Sequence, residues 1–487
     1  MKSVKINYFY NVLVNLTAVI FPIITAPYVA RVLEPDGIGL FNFSATYAGY
    51  FALFALLGIP TYGVREIAKI GEDKIKQTKL VSELMSIAVI TTTLVSFIYL
   101  VTIALVGQLS ENYLIFILAG FVIYLAPFKI NWYYQGVEEF GYITFITLLV
   151  RVFSIVCLFL FVHDKTDLIA YVFLNVLGGV IADVWNFVKL VRSGVRPYFT
   201  LINLRRHLKP LLLLFASSVA ISIYTVLDTI MLGFIKDYTE VGYYYNASHI
   251  TKIILSFATS LSIVVIPRFS SYIGQKDMGN AMSLFNKSVS FTSFLVFPMA
   301  IGLMLISPVF IPWFLGNLFY GSIIPMMILS FLIIAIGFSS ILGMQVLVGL
   351  GQEKLFFYSI LIGAVLNFIL NSLLISPFGA VGASIASVVA EVTIVVVMAW
   401  FIYKFTPIRI NIWNNIFKSL LGSLLFIPTY FALRSITSGV IFLTAFILIC
   451  AFLYLVTQRI LKNDMLSLML ETIKNIQNKV YFNKNKQ

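Results

Sequence analysis

The sequence predicts an all-α integral membrane protein with about fourteen transmembrane helices. Of its 487 residues, 60% are hydrophobic and only 11% are charged, whereas about a quarter of the residues in a soluble globular chain are charged. The hydrophobic residues form long runs: 80–106 is interrupted only by Glu83, and 356–377 carries no charge. Because about 20 apolar residues cross the ~30 Å hydrocarbon core of a bilayer, repeated runs of this length indicate a multi-pass membrane protein.

The spans are predicted to be helices because hydrocarbon requires each span to satisfy its own backbone hydrogen bonds. The strands of a membrane β-barrel alternate over only about 10 residues, and these runs are longer and continuous. The first two spans are joined by the turn Glu34-Pro35-Asp36-Gly37. The predicted ranges are 8–30, 37–60, 80–106, 113–135, 141–162, 167–190, 210–235, 241–267, 284–308, 320–349, 355–376, 379–403, 413–433 and 438–459.

The basic residues predict the orientation of the chain. Cytoplasmic loops carry an excess of Lys and Arg. With the N-terminus inside, the outside loops hold only Arg31, Lys165, Lys236 and Arg434 of the 33 basic residues. We therefore expect both termini in the cytoplasm. The net charge of +13 then faces anionic lipid, and no separate basic domain indicates nucleic-acid binding.

Several kinds of catalytic and metal site are excluded by composition. The two cysteines, Cys157 and Cys450, lie inside apolar runs, and the three histidines are scattered. A disulfide framework and a cysteine-ligated metal site are therefore not expected. No Walker loop is present, so the chain is predicted to carry no ATPase of its own. We predict that it is not an enzyme and holds no metal or cofactor, apart from a candidate coupling ion, H⁺ or Na⁺.

An internal repeat predicts the domain organisation. Three landmarks recur in the same order: Ile38-Gly39-Leu40-Phe41 with Val241-Gly242-Tyr243-Tyr244, Ile59-Pro60 with Ile266-Pro267, and Gly136-Val137-Glu138 with Gly351-Gln352-Glu353. Spans 1–6 and 7–12 then form two six-helix lobes with the same orientation, as in parallel-repeat transporters. The predicted segments are an N-lobe at 1–209, a C-lobe at 210–411, helices 13 and 14 at 412–461, and a cytoplasmic tail at 462–487. This design is typical of an alternating-access carrier.

Ionisable residues inside the spans are the candidate site residues, because charges in a membrane are costly and usually face a cavity or a partner. The bases predict a cationic cavity for an anionic head group, and the carboxylates predict proton or sodium coupling. Internal ion pairing, such as Arg151 with Asp183, is the structural alternative. The candidate bases are Arg31, Arg65, Arg151, Lys252 and Arg268; the candidate carboxylates are Asp183, Asp228 and Glu391.

Polar stripes on two spans are candidate cavity walls. Asn11 and Asn15 are four residues apart in the first span and share a helix face. Ser218 and Ser222 form a similar stripe in the seventh span, which the repeat makes equivalent to the first. Polar contacts between helices are the alternative explanation for both stripes.

Several segments resemble one family of bacterial polysaccharide exporters. They are Pro27-Tyr28-Val29-Ala30-Arg31-Val32-Leu33-Glu34-Pro35-Asp36-Gly37-Ile38-Gly39, Pro60-Thr61-Tyr62-Gly63-Val64-Arg65-Glu66, Gln135-Gly136-Val137-Glu138, and Asp228-Thr229-Ile230-Met231-Leu232-Gly233 with the following Val241-Gly242-Tyr243-Tyr244. The sequence is similar to the Wzx-type oligosaccharide flippases of the multidrug/oligosaccharidyl-lipid/polysaccharide exporter superfamily, over at least the first twelve spans.

The resemblance implies two six-helix lobes facing each other in a V. It implies a cargo of undecaprenyl-pyrophosphate-linked oligosaccharide, such as an O-antigen or capsule repeat unit, moved from the inner to the outer leaflet of the bacterial cytoplasmic membrane. The expected partners are this lipid-linked glycan, membrane lipid, and the polysaccharide polymerase with its chain-length machinery.

Three other functions are weighed against this one. A multidrug antiporter of the same superfamily carries cations, which Arg151 and Lys252 argue against. A lipid II flippase matches less well around Arg31 and Arg65. A membrane polymerase or ligase of surface glycans would need a large periplasmic loop with catalytic charges, whereas the outside loop near 309–319 carries no charge.

Overall fold

A computed structural model describes residues 4–406, 408 and 413–467. The side chains at 4–9, 11, 12, 15, 18, 19, 217, 220, 221, 223–225 and 260–264 lie outside this description. Throughout the described part every regular element is a helix and no strand occurs, which confirms the predicted all-α class. The chain divides into two compact units, Met1–Gly242 and Tyr243–Gln487. The predicted division into lobes at 209/210 stays a prediction.

The first unit contains ten helices that lie wholly within it, counted over the described residues. They are α1 (Val4–Leu56), α2 (Ile59–Ile70), α3 (Lys74–Leu105), α4 (Gly107–Ser110), α5 (Tyr113–Ala119), α6 (Phe121–Tyr124), α7 (Asn131–Gly136), α8 (Phe140–Phe161), α9 (Leu168–Arg192) and α10 (Arg205–Ile235), with 3₁₀ turns at Ala126–Phe128 and Lys165–Asp167.

The second unit continues from α11, which begins in the first. Its elements are α11 (Tyr238–Gly274), α12 (Met278–Phe314), a 3₁₀ segment (Asn317–Ser322), α13 (Ile323–Leu329), α14 (Phe331–Ser339), a π-helix (Ser340–Val348), α15 (Glu353–Phe405), α16 (Trp413–Leu424), α17 (Phe426–Arg434) and α18 (Gly439–Ile460). An aromatic core that includes Phe294, Phe442 and Phe446 packs α16–α18 against α12.

Two helices are too long to be single spans. Both α1 and α15 have 53 residues, and a straight helix of that length would extend about 80 Å at 1.5 Å per residue. Each is broken by one residue with positive φ: Glu34 in α1 (φ 60°, ψ 173°) and Gly379 in α15 (φ 53°, ψ −129°). These breaks lie at or beside the boundaries predicted between spans 1 and 2 and between spans 11 and 12.

The described residues contain nine helical segments that are long and apolar enough to cross a membrane. Two of them, Ile20–Leu56 and Glu353–Phe405, include the breaks just described, and shorter apolar helices occur at Tyr113–Phe128 and Val226–Ile235. This pattern is consistent with about fourteen spans. The chain is a multi-pass membrane protein.

One helix was not predicted. The second span was expected to end at residue 60 in a loop, but α2 continues from Ile59 to Ile70 after Gly58, whose φ is 77°. Pro60 lies in its first turn, where a missing N–H costs no hydrogen bond. One face of α2 is buried, including Tyr62 and Ile67, and it packs on α3 and α7. The polar opposite face made the segment look like a loop.

The predicted fourth span, 113–135, is not one continuous helix. It is divided into α5, α6, the 3₁₀ turn at Ala126–Phe128 and α7. Pro127 lies in the 3₁₀ turn, where its ring prevents the regular α-helical hydrogen bond. The α-helix is therefore interrupted directly before Lys129, a residue of the candidate site.

A buried polar network joins α2, α3 and the start of α10. The Glu83 carboxylate, 1% exposed, accepts a hydrogen bond from Arg206. One of its oxygens lies 2.8 Å from His207 Nε2, and Arg206 Nε donates to the same His207 nitrogen at 3.2 Å. His207 Nδ1 lies 2.8 Å from the Tyr62 hydroxyl. A buried carboxylate is tolerated here because it is paired.

Replacing Glu83 by alanine should lower the free energy of unfolding by about 3 kcal/mol, because it removes the buried carboxylate that both Arg206 and His207 contact. Glu83→Gln, which keeps an acceptor oxygen, should cost about 1 kcal/mol. Denaturation in mixed micelles measures both values. Glu72, exposed one turn before α3, is the matched control, and Glu72→Ala should change stability by less than about 0.5 kcal/mol. Equal effects at the two positions would contradict a stabilising role for the network.

Candidate functional site

The first unit contains a cavity of about 270 Å³ with a partly polar lining between α1, α8 and α9. Arg151 projects from the middle of α8 into this cavity, which we call the Arg151 cavity. The other polar residues of its lining are Thr17, Thr25, Ser154, Tyr171 and Asn175. The sequence predicted Arg151 as a cavity base, and the one residue of α8 or α9 that it considered beside Arg151 was Asp183, which is not in this lining.

Arg151 is held by neutral groups. Its Nη1 donates to the Val14 carbonyl at 3.1 Å and to the Thr17 hydroxyl, and its guanidinium carbon lies 6.0 Å from the centre of the Phe21 ring. The ion pairs of the described residues do not include Arg151. Its charge is therefore oriented without being neutralised, which suits the binding of an anion.

A second cavity of about 220 Å³ adjoins the first and contains Lys129 and Asp183. Asn175 and Gly179 of α9 line both cavities. Lys129 and Asp183 interact electrostatically, although neither takes part in an ion pair within 4.0 Å in the described chain. The basic neighbour of Asp183 is thus Lys129. The pairing of Arg151 with Asp183, which the sequence offered as the structural alternative, does not occur among the ion pairs of the described residues.

Lys129 is the residue that sequence reasoning missed. It lies near the end of the predicted fourth span, 113–135, and was not among the candidate site residues, yet it is only partly exposed and lines a cavity. The available signal was Pro127, two residues earlier, because a proline this close to a span end indicates a bend that can turn the following side chain inward.

Two of the predicted bases lie on exposed surface, Arg65 in the middle of α2 and Arg268 near the end of α11. Arg65 in α2 pairs with Glu66 at 3.0 Å and lies 5.3 Å from the Tyr62 ring centre. Arg268 near the end of α11 donates from Nε to the Tyr272 hydroxyl at 3.3 Å. Such side chains can reach polar head groups, so their role in a cargo cavity stays a prediction.

Arg31 and Lys252 are exposed in the first and second unit respectively. The candidate carboxylates are all buried: Asp183 and Asp228 are each 8% exposed, and Glu391 is 5% exposed. Glu391 Oε2 accepts no hydrogen bond from any described residue. Asp228 belongs to the first unit and Glu391 to the second.

Of the two predicted polar stripes, only the one formed by Ser218 and Ser222 lies within the described side chains. The side chains of Asn11 and Asn15 lie outside the described residues. Ser218 donates to the Leu214 carbonyl at 3.0 Å, and the Ser222 carbonyl accepts a hydrogen bond from Tyr50 at 3.1 Å. Both serines are partly exposed, so a contribution to a cavity wall stays a prediction.

Residues 4–273 match the model of a protein family described as "Polysaccharide biosynthesis protein". The chain belongs to this family. It is 26% identical over 408 residues to the "Putative O-antigen transporter" of Escherichia coli (strain K12), covering 82% of this chain and 97% of that relative. It is 24% identical over 282 residues to the "Probable low-salt glycan biosynthesis flippase Agl15" of Haloferax volcanii, covering 55% of this chain and 57% of that one.

The fold of this family member resembles that of a solved structure titled "Lipid II flippase MurJ, inward closed conformation". The TM-score is 0.74 at 16% identity, over 94% of this chain and 99% of that one. At this identity the likeness shows the fold alone. Family membership and fold together confirm the resemblance drawn from the motifs. The two sequence relatives are named as a transporter and a flippase, which confirms the prediction of a transporter rather than an enzyme.

Proposed function

We propose that this polysaccharide biosynthesis protein moves undecaprenyl-pyrophosphate-linked oligosaccharide repeat units from the inner to the outer leaflet of the bacterial cytoplasmic membrane by alternating access. The family supports a role in polysaccharide assembly. The relative from Escherichia coli, aligned over 97% of its length, is named for O-antigen transport. The observation that carries the proposal is Arg151, a cation oriented into a partly polar cavity by neutral groups alone.

The Arg151 cavity suits the charged part of such a cargo. A guanidinium offers several N–H donors in one plane and binds phosphate oxygens in pairs, more strongly where water is excluded. The cavity volume of about 270 Å³ is slightly below the range of about 300–1,000 Å³ that encloses a drug-sized ligand. It therefore fits a phosphate head group rather than a whole oligosaccharide, whose sugars need a further polar surface.

Reconstitution tests the proposal directly. The protein in proteoliposomes should expose undecaprenyl-pyrophosphate-linked oligosaccharide to an added lectin at least tenfold faster than protein-free vesicles. Lipid II, with a different glycan on the same carrier, should be moved more slowly. Equal rates with and without protein would contradict the proposal, and movement of lipid II alone would establish the lipid II flippase as the correct alternative.

Lys129 and Asp183, which line the adjoining cavity, should also affect transport. Asp183→Asn leaves Lys129 without its counter-charge in a partly buried position, so transport should fall about tenfold. The double variant Lys129→Gln/Asp183→Asn removes both charges and should recover most of the rate. Transport by single and double variants in proteoliposomes, with and without an imposed pH or sodium gradient, measures this. A double variant as inactive as Asp183→Asn, and insensitive to the gradient, would instead make Asp183 an ion-coupling residue.

A further inference from the structure

A third cavity in the first unit is separate from the proposed transport site. It has a volume of about 400 Å³ and shares no lining residue with the Arg151 cavity. Its walls are α2, the first two turns of α3 and the start of α10. The residues that matter are Tyr62 and Glu66 from α2, Lys76 and Lys79 from α3, and Arg206 and His207 from α10. We call it the α2–α3–α10 cavity.

One wall of the cavity is built on the Glu83 network, which supplies Tyr62, Arg206 and His207 to the lining. The Glu83 carboxylate is buried and fixes both Arg206 and His207. The Arg206 side chain is nevertheless 52% exposed, so part of the guanidinium remains available to the cavity. The Arg206 guanidinium has five N–H donors, which is more than one carboxylate oxygen can accept. The bond to Glu83 orients the guanidinium, and its remaining donors are left for a ligand in the cavity.

The two carboxylates nearest the cavity, Glu66 and Glu83, already have basic partners. Glu66 accepts hydrogen bonds from Lys69 at 2.9 Å and Arg65 at 3.0 Å. Burial raises the pKa of Glu66, but these two bonds outweigh it and hold the pKa below its usual value. Glu66 therefore stays ionised at neutral pH and keeps its two basic partners.

An excess of positive charge remains at the cavity. Lys76 pairs with Asp73 at 3.1 Å, and both side chains are exposed, so this pair is weak and easily exchanged. Among the described residues, Lys79 has no carboxylate within 4.0 Å. Lys76, Lys79 and Arg206 thus surround one cavity with three cations, only one of which has a buried counter-charge.

We propose that the α2–α3–α10 cavity binds a phosphate group, carried by an anionic phospholipid head group or free in solution. Ammonium and guanidinium groups bind phosphate oxygens through strong charge-assisted hydrogen bonds. Basic pockets between transmembrane helices are established binding sites for anionic head groups. The helix ends that form this cavity carry the basic residues predicted to face the cytoplasm, where anionic lipid is abundant. The proposal does not depend on which cargo is transported.

Binding of two soluble probes to the purified full chain tests the proposal. The probes are dihexanoyl-phosphatidylglycerol, a short-chain anionic lipid, and inorganic pyrophosphate; dihexanoyl-phosphatidylcholine is the zwitterionic control. A surface lysine contributes about fivefold to the affinity for an anionic head group. The double variant Lys76→Gln/Lys79→Gln should therefore raise the Kd of a bound anionic probe about 25-fold. Both lysines are exposed, so the fold should be unchanged, which the unfolding midpoint checks.

The matched control is Lys287→Gln, which removes the same charge from an exposed lysine of the second unit on the same predicted side of the membrane. Its Kd values should equal those of the parent. Weakened binding of phosphatidylglycerol alone identifies a lipid head-group site, and weakened binding of pyrophosphate as well identifies a site for phosphate from either source. The proposal is overturned if neither anionic probe binds, if the double variant binds as tightly as the parent, or if Lys287→Gln weakens binding equally.

Discussion

Replacing Arg151 by alanine should reduce transport of the pyrophosphate-linked cargo about 100-fold. A hydrogen bond to a charged group contributes about 1.5–3 kcal/mol, and each 1.4 kcal/mol is a factor of ten. The guanidinium is oriented by Val14 and Thr17 and has no carboxylate partner in the described chain, so its removal costs binding without releasing an unpaired acid. Transport in proteoliposomes and surface-glycan export in cells measure the loss.

Two further variants make the test specific to charge. Arg151→Lys keeps the charge but loses the planar pair of donors, so about one tenth of the rate should remain. Arg151→Glu should be worse than alanine, because it repels a phosphate. Lys165→Ala, at an exposed base before α9, is the control and should transport normally. Full export by Arg151→Ala at normal protein level would make the residue structural. Lys252→Ala in the same assay tests the predicted base of the second unit.

Replacing Gly39 by alanine should lower the free energy of unfolding by about 3 kcal/mol or more, at the upper end of the cost of overpacking. A Cβ at Gly39 would lie 1.6 Å from the Tyr238 carbonyl oxygen, and one at Gly242 would lie 2.1 Å from the Pro35 carbonyl oxygen. These neighbours are backbone atoms and cannot move aside as a flexible side chain can. Unfolding midpoint and protein level in the membrane measure the effect.

Gly49 provides the matched control on the same helix, α1. A Cβ there has no neighbour within 4 Å, so Gly49→Ala should leave stability unchanged or raise it slightly, since alanine favours the helix by about 1 kcal/mol over glycine. Normal folding and transport by Gly39→Ala would show that the backbones separate at no cost, which would contradict the close packing seen around Tyr238.

Gly39 and Gly242 have a structural role that the sequence alone does not indicate. Gly39 and Gly242 were noticed as equivalent landmarks of an internal repeat, which says nothing about where they lie. In the structure the backbone around each glycine lies against the backbone around the other, within the first unit. Glycine is required at both positions because the two backbones approach too closely to leave room for a side chain. The pattern along the sequence does not reveal this close approach.

Membrane class, helical structure and the approximate positions of the spans were determined by the sequence alone. Hydropathy is a local property, and hydrocarbon leaves a span little choice except a helix. The break at Glu34 was predictable from Pro35 for the same local reason. The amphipathic helix α2 was missed because its buried face is covered largely by α7, which lies about 60 residues further along the chain.

Only the tertiary structure decided which charges meet. Asp183 and Arg151 are both inside predicted spans, and the pairing between them looked reasonable, yet Asp183 faces Lys129 and Arg151 contacts Val14 and Thr17. Glu83 was noted only as an interruption of an apolar run, and its partner His207 is 124 residues away. The depth of a charge in a membrane follows from its position along a span, whereas its partner depends on the rotation and packing of each helix, which hydropathy does not encode.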